Sequence, residues 1–362
     1  MTRVTKPRAL VRLAVSVGCP CGIGPEVSLA GALALRRQDA RARVLLVGDV
    51  GALRAAARVI GVDPLRVVRI ESADEAWSAS LRGARASRVA VLEPAPALRA
   101  ADRRPGAPGA PAGAAQLAWV DVATDLVSSG GADALVTGPV SKDVIARSGA
   151  PGSRGFLGHT EHLARRLGAR EVTMAFFTEQ LTSSLVTTHL PLSAVPAAIR
   201  PREVARATYW TAWLAARVAP RAAAGRGRIA VAALNPHAGE GGLLGHEEER
   251  VIAPGIALAR RRIAAAKLAI DVEGPIPAES AFRLAAAGHY RAVVAMYHDQ
   301  ATIPMKLLAF GEAVNVSLGL PIVRTSVDHG TAYDRAGRGT SDPRGMVEAM
   351  KLAARLVRGP RG

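Results

Sequence analysis

The sequence predicts an α/β protein whose sheet is parallel or mixed and is covered by helices on both faces. Three observations carry this. Apolar runs of strand length recur along the 362 residues. Many of them are unbroken Val, Ile, Leu and Ala without alternation, as strands buried on both faces require. Longer stretches of helical period separate several of the runs. At this length the chain can form one large α/β domain or two. An apolar fraction of 49% is that of a globular protein.

In chain order, strands are expected at "RLAVSVG", "RVLLVGD", "RVAVLE", "ADALVTG", "RIAVAAL", "AVVAMYH", "AVNVSLG" and "IVRTSV". Helices are expected at "PEVSLAGALALRR", "GALRAAARVIG", "AAQLAWVDVATDLVSSG" and "EEERVIAPGIALARRRIAAAK". Two stretches break the rhythm. "EVTMAFFTEQLTSSLVTTH" reads as a hairpin turning at about Glu179-Gln180. "EPAPALRAADRRPGAPGAPAGAA" reads as a flexible Pro/Gly/Ala loop without chemistry of its own.

The start, "MTRVTKPRALVRLAVSVG", places basic residues ahead of a short apolar run, as a secretory leader would. The run enters a glycine turn and no small-residue cleavage pattern follows, so it is read as a first strand. No run of 18 or more apolar residues occurs, so no membrane span is expected. Two cysteines, Cys19 and Cys21, cannot staple a fold of this size and fit a reducing cytoplasm. The net charge of +17 raises nucleic-acid binding. Against it, the arginines are scattered along helices and aromatics make up 4% of the chain, too few for base stacking.

Of eight histidines, His189, His237 and His298 each follow an apolar strand, in "LVTTHLP", "VAALNPHAGEGG" and "AVVAMYHDQ". Ligands of open α/β sheets gather at such strand ends. Three imidazoles could there converge on one divalent metal. A histidine after a strand also serves as an ordinary hydrogen-bonding loop residue, and these spacings match no compact zinc motif. "SRGFLGHTEHLARRL" offers Thr160 as a helix N-cap beside His159, which can take an anion or merely cap. Lys306, Asn315 and Arg324 fall near successive element ends and suit a phosphate or carboxylate. Lysine is scarce, which makes Lys142 and Lys306 informative. In "VGCPCGIGPE" a strand enters a glycine loop, with Pro25 at the first helical position and Glu26 behind it. The loop is neither G-x-G-x-x-G nor a P-loop, and a metal at Cys19 and Cys21 lacks further ligands nearby.

Together "GIGPE", "TGPVSK", "GHTE", "TTHLPL", "LNPHAGEGG", "MYHDQ", "VNVSLGLPIVRTSVDHGTA" and "AGRGTSD" resemble the 4-hydroxythreonine-4-phosphate dehydrogenase family of vitamin B6 biosynthesis. The motifs stand in family order from about residue 11 to 350. The resemblance implies two α/β/α domains like those of isocitrate and isopropylmalate dehydrogenases, with the active site in the cleft between them. Residues 1–135 plus 310–362 would form the cofactor-side domain, and 136–309 the domain of the metal ligands and dimer interface. It implies a cytoplasmic homodimer acting on a phosphorylated small molecule, without nucleic acid or membrane. The metal would be held by His189, His237 and His298, drawn from both subunits. Substrate would be bound by His159, Thr160, Lys306, Asn315 and Arg324. NAD or NADP would meet Asp328, His329, Gly330 and Thr331. The implied chemistry is hydride transfer from the hydroxyl-bearing carbon, then loss of CO2, with one divalent ion (Zn, Co, Mg or Mn) as Lewis acid. Lys306, Asp299, His159 and Lys142 are the candidate proton acceptors.

The chain departs from the family at Cys19, where a carboxylate is usual, and at Cys21, where Ala is frequent. His162 replaces a common aromatic, and His246 a small polar or basic residue. "PRAAAGRGR" and the Pro/Gly/Ala loop read as insertions. Two other readings stay open. One is a paralogue oxidising a phosphorylated threonate or erythronate, or an aromatic dihydrodiol carboxylate. The other is a basic nucleic-acid-binding protein on a degenerate enzyme scaffold.

Overall fold

A computed structural model describes residues 10–78, 88–94, 97–218, 227–309 and 311–359. The chain forms two compact units. Unit 1 takes Met1–Gly168 and Pro321–Arg358; unit 2 takes Ala169–Leu320 and Gly359–Gly362. The sequence reading places its boundaries elsewhere, after 135 and 309.

Unit 1 runs β1 (Val11–Ser16), α1 (Gly24–Gln38), β2 (Ala42–Val47), α2 (Val50–Val59), β3 (Val67–Ile70), α3 (Ala73–Trp77) and β4 (Val89–Leu92). It continues with α4 (Ala110–Ser128), β5 (Ala134–Thr137), α5 (Lys142–Ala146) and α6 (His159–Arg166). After unit 2 the chain returns as β12 (Val323–Val327) and α12 (Arg344–Arg358), labels following chain order. The sheet order is β3-β4-β2-β1-β5-β12, and every pairing is parallel. All four residues of β5 are buried, as are five of the six in β1. Burial of successive residues means that both faces are covered, which is why the alternation of a half-exposed strand is missing.

Helix ends follow local chemistry. α1 opens with Pro25 and Glu26 and closes on Arg36 and Arg37, each charge matching the end of the helix dipole it faces. Asp49 caps α2 by accepting from the Ala52 N–H. The loop expected to be flexible over residues 93–115 is corrected in two ways. Its last part already forms the first turns of α4. Upstream, Arg103 donates to both carboxylate oxygens of the buried Asp49, at 3.0 and 3.1 Å, and to Leu98 O. A buried carboxylate needs such a partner, so this loop is tied down. The insertion read at "PRAAAGRGR" lies outside the described residues except for its last two.

Unit 2 begins with β6 (Thr173–Phe177) and β7 (Thr182–Leu185), then α7 (Val195–Ala198), α8 (Pro201–Val218) and β8 (Gly227–Ala232). It continues with α9 (Ala253–Ala265), β9 (Ile270–Ile276), α10 (Ala278–Ala286), β10 (Ala292–Ala295), α11 (His298–Leu308) and β11 (Val314–Leu318). Its sheet is mixed, in the order β11-β6-β7-β10-β8-β9, with β6 antiparallel to both its neighbours. The expected hairpin is present. The Thr178 hydroxyl accepts from the Gln180 and Leu181 N–H groups and closes the turn.

The period of two divides the core of this unit. Ile229, Val231, Ala292 and Val294 belong to one apolar cluster, with Val204 and Ile256 of α8 and α9. Their alternate neighbours Ala230, Ala232, Val293 and Ala295 belong to a second, with Phe282 of α10 and Met305 of α11. A sheet between two helical layers gives this division.

Candidate active site

In unit 1 the stretch "VGCPCGIGPE" is a junction. The Cys19 N–H donates to Pro139 O (2.8 Å), Ile23 N–H to Thr331 O (2.9 Å) and Gly106 N–H to Cys21 O (2.8 Å). Gly18 has φ +86°, and a Cβ on it would stand 2.4 Å from Pro139 O. Facing it, a Cβ on Gly138 would stand 2.4 Å from Val17 O. Only glycines allow the two strand ends to approach so closely. Glu26, 3% exposed, accepts from the N–H groups of Gly337 (2.7 Å) and Gly339 (3.1 Å). "GIGPE" and "AGRGTSD", distant in sequence, are thus two sides of one contact.

Cys19 and Cys21 are both buried free thiols. Cys19 Sγ lies 3.5 Å from the Tyr333 hydroxyl, and Cys21 Sγ lies 3.3 Å from Asp102 O. Hydrogen bonding from the Cys21 thiol, aided by Tyr333 and by the backbone N–H groups of Cys21 and Gly22, pulls the Cys19 thiol down to about 7 against its burial. Cys21 is pushed up by the same bond and by burial. Burial and then the Cys19 partner raise Tyr333 to about 12. The Cys19 thiol is thus more readily ionised than an ordinary cysteine. The thiolate ultraviolet absorbance should rise with a midpoint near 7 in the folded protein and vanish in Cys19→Ser. A midpoint at the ordinary cysteine value would disprove this.

Beside this junction the β5 and β12 ends hold a buried cation. Arg324, 3% exposed, donates through Nη2 to the Thr137 hydroxyl at 2.6 Å. Thr137 in turn donates to Ser326 Oγ at 3.0 Å, and Ser326 Oγ donates to Thr137 O at 3.1 Å. Burial holds the guanidinium down at about 9, with Glu161 pulling the other way. Arg324 is thus still a cation at neutral pH. Thr137 lies within "TGPVSK" and was not singled out from sequence. The available signal was a polar residue ending an unbroken apolar strand.

His159 begins α6, capped by Gly158. Thr160 is therefore inside the first turn and is not the cap, a correction to the sequence reading. His159 is half-buried, and its Nε2 is shielded and has no hydrogen-bond partner among the described residues. Burial, then Arg324, His162 and Lys142, push its pKa well below 6.5. The imidazole is neutral at pH 7. Lys142 opens α5, whose N-cap Ser141 accepts from the Val144 N–H. His162 is held at 2.6 Å from Asp121 and packs against Phe156, with ring centroids 5.3 Å apart and planes tilted at 47°. Unit 1 thus concentrates positive charge from Arg324 and Lys142 around a neutral histidine, chemistry that suits a phosphate.

The lowered His159 value has a sign that can be tested. Unfolded His159 takes up a proton as pH falls through 6.5, whereas the folded side chain does so only lower down. Stability should drop over that window as pH falls. His159→Gln should flatten the fall in urea midpoint between pH 7 and 5. An unchanged slope would refute the assignment.

Of the proposed cofactor residues, Asp328 and His329 lie just past β12. His329 Nδ1 is 3.0 Å from Gly330 O, and its shielded Nε2 has no partner among the described residues. A Cβ on Gly330 would meet open space, and Thr331 O takes the Ile23 bond already described. An orphaned ring nitrogen beside an open backbone fits a loop that takes a polar ligand.

In unit 2, His189 and His298 come together, with ring centroids 5.3 Å apart and planes at 43°. His298 Nδ1 is 2.7 Å from Asp299 Oδ1. That contact leaves Nε2 as the ring atom for another partner, an arrangement common behind metal-bound imidazoles. His237 does not complete the set. Among the described residues no group of three or more His, Cys, Asp or Glu is gathered as a metal site. His237 instead opens a run of left-handed backbone, with φ of 52°, 54°, 81°, 46° and 66° at residues 237–241. Lys306 is exposed near the end of α11, and Asn315 pairs with Phe176 across β11 and β6.

Comparison with known proteins follows the motifs. The family model described as "Pyridoxal phosphate biosynthetic protein PdxA" matches residues 40–353. A 4-hydroxythreonine-4-phosphate dehydrogenase of Geobacter metallireducens is 41% identical, covering 97% of each chain. The crystal structure of the Klebsiella pneumoniae enzyme of that name superposes with a TM-score of 0.78 at 32% identity, covering 96% of this chain and 99% of that one. A terephthalate 1,2-cis-dihydrodiol dehydrogenase from Burkholderia xenovorans follows at a TM-score of 0.63 and 27% identity, covering 96% and 98%. Motif order, fold and near full-length identity agree, and the chain belongs to the PdxA family of 4-hydroxythreonine-4-phosphate dehydrogenases.

Proposed function

We propose that this chain oxidises 4-phosphooxy-L-threonine with a nicotinamide cofactor. Loss of CO2 then gives 3-amino-2-oxopropyl phosphate, a step in pyridoxal 5'-phosphate biosynthesis. The observation that carries the reading is the 41% identity over 97% of the chain. In unit 1 the proposed substrate residues are His159, Thr160 and Arg324; in unit 2 they are Lys306 and Asn315. The buried Arg324 and the neutral His159 support a phosphate or carboxylate subsite. Hydride leaves the hydroxyl-bearing carbon for the cofactor as the hydroxyl proton passes to a base. The resulting β-keto acid then loses CO2.

His189 and His298 fit a divalent metal by donor type and proximity. His237 is the proposed third ligand. A pair in one chain with a third donor from a second copy is what a shared site leaves in a lone chain. A bound ion would supply Lewis acidity at the substrate oxygen. Asp299, engaged with His298, is better suited to orient that ring than to accept the substrate proton. Lys142, Lys306 and His159 remain the candidate acceptors. The proposed cofactor loop is Asp328, His329, Gly330 and Thr331, with NAD or NADP. A homodimer is supported by exposed Leu190, Leu192, Leu243, Leu244, Ile303 and Leu307 in unit 2, apolar surface that a second copy would cover. The unbonded thiols fit a cytoplasmic location.

The decisive assay follows reduced cofactor with each acid offered separately. Turnover of 4-phosphooxy-L-threonine is expected. Reaction only with a non-aminated phosphorylated acid, or with a dihydrodiol carboxylate, would overturn the assignment. His237→Ala is expected to abolish turnover and weaken metal binding; an active, metal-replete variant would remove His237 from the ligand set.

A further inference from the structure

We infer that Gln300, acting with Thr187 and Glu248, is the positioning residue that sets the strand ends bearing His189, His237 and His298 relative to one another. The inference rests on the three-histidine reading above, and its test separates the two.

The hub is the buried backbone of Met296, two residues before His298. Its carbonyl accepts from the Thr187 hydroxyl at 2.7 Å and the Thr187 N–H at 3.2 Å. Thr187 stands two residues before His189 and is buried. The Met296 N–H donates to Gln300 Oε1 at 2.7 Å. Gln300 Nε2 then donates to Ala233 O at 2.8 Å, just past β8 on the way to His237. One carboxamide therefore joins the β10 end to the β8 end, using both its donor and its acceptor. An amide does this where a carboxylate or a thioether cannot.

Glu248 continues the tie. It is 6% exposed, and its Oε1 accepts from the N–H groups of Leu234 and Asn235, both at 2.8 Å. Its Oε2 accepts from Asn235 Nδ2 at 2.9 Å. A Cβ on Gly239 would lie 2.9 Å from that same oxygen. The left-handed run that opens at His237 is thus wrapped around a buried carboxylate. Three non-glycine residues in that run, His237, Ala238 and Glu240, hold a disfavoured backbone. Such a conformation persists only where surrounding contacts enforce it.

A purely local role for Gln300 would be to satisfy the Met296 N–H at the start of α11. Gln300→Glu keeps that acceptor but, ionised, has no N–H for the Ala233 carbonyl; it removes the bridge and adds a negative charge, so Thr187→Val, which adds none, is read beside it. The probe is cobalt(II) chloride added to metal-free protein, read by calorimetry and by the visible cobalt spectrum, with the thermal unfolding midpoint measured alongside. Gln300→Glu is expected to weaken cobalt binding by about 10- to 100-fold, the usual effect of losing an outer support of a metal ligand. In a shared site the bridge sets where each chain's His237 stands for the histidine pair of the other copy, so the cobalt spectrum should shift as that third imidazole moves. Thr187→Val should weaken binding in the same direction, and it carries the test if Gln300→Glu does not fold. Wild-type affinity and spectrum in the folded variants, with His237→Ala still binding weakly, would overturn the positioning role alone. Wild-type affinity in His237→Ala would overturn the three-histidine reading, and this inference with it.

Discussion

Exchange of Arg324 for alanine is expected to lower kcat/KM for 4-phosphooxy-L-threonine by about 30- to 1,000-fold. This corresponds to the roughly 2–4 kcal/mol lost when one partner of a buried, hydrogen-bonded charge pair is removed. The size follows from burial. Arg324 is 3% exposed and held by Thr137, so its charge is poorly screened and its position is fixed before ligand arrives. Most of the loss should appear in KM, because the proposed anion subsite would hold substrate and transition state alike. Arg324→Lys should fall between the two, since an ammonium keeps the charge but not the planar fork. Inorganic phosphate should protect wild type against thermal unfolding and should not protect Arg324→Ala. Equal protection of both would place the phosphate elsewhere.

The largest effect on stability is expected at Glu26. Its two acceptor bonds to Gly337 and Gly339 are charge-assisted, worth about 1.5–3 kcal/mol each. Gly337 is exposed, so water replaces part of the loss there. Glu26→Ala is therefore expected to cost about 2–4 kcal/mol in urea unfolding. Glu26→Gln, which keeps one acceptor oxygen, should cost about half of that. A change below about 0.5 kcal/mol in Glu26→Ala would show that the carboxylate holds nothing.

The sequence was most legible where physics is local. Central strands such as β5 and β10 were visible because burial on both faces demands unbroken apolar runs. The β6–β7 hairpin was visible through its polar turn residues. Strand β3 escaped because it is four residues long with Arg69 facing out. Strand β9 escaped because Gly274 and Pro275 interrupt it, a pattern that reads as loop and is tolerated at this sheet edge. The motifs located His189, His237 and His298 as residues, but not their arrangement. The pairing of His189 with His298 depends on β7 and β10 being neighbours. The left-handed run at His237 includes Ala and Glu, residues that give no such signal. Glu26 showed only a helix-start acid, since its partners lie more than three hundred positions away.

That same distance governs how unit 1 is made on the ribosome. Its sheet has β5 in place early, but β12 and α12 emerge only after the Ala169–Leu320 segment of unit 2. Until then the flank of β5 that will receive β12 has no strand to pair with, and the loop that Glu26 clamps does not yet exist. The main segment of unit 2, Ala169–Leu320, is continuous in the chain and can close first. Nascent unit 1 must wait as an incomplete sheet with an open edge, the state in which a chain most readily captures a wrong strand or calls on a chaperone.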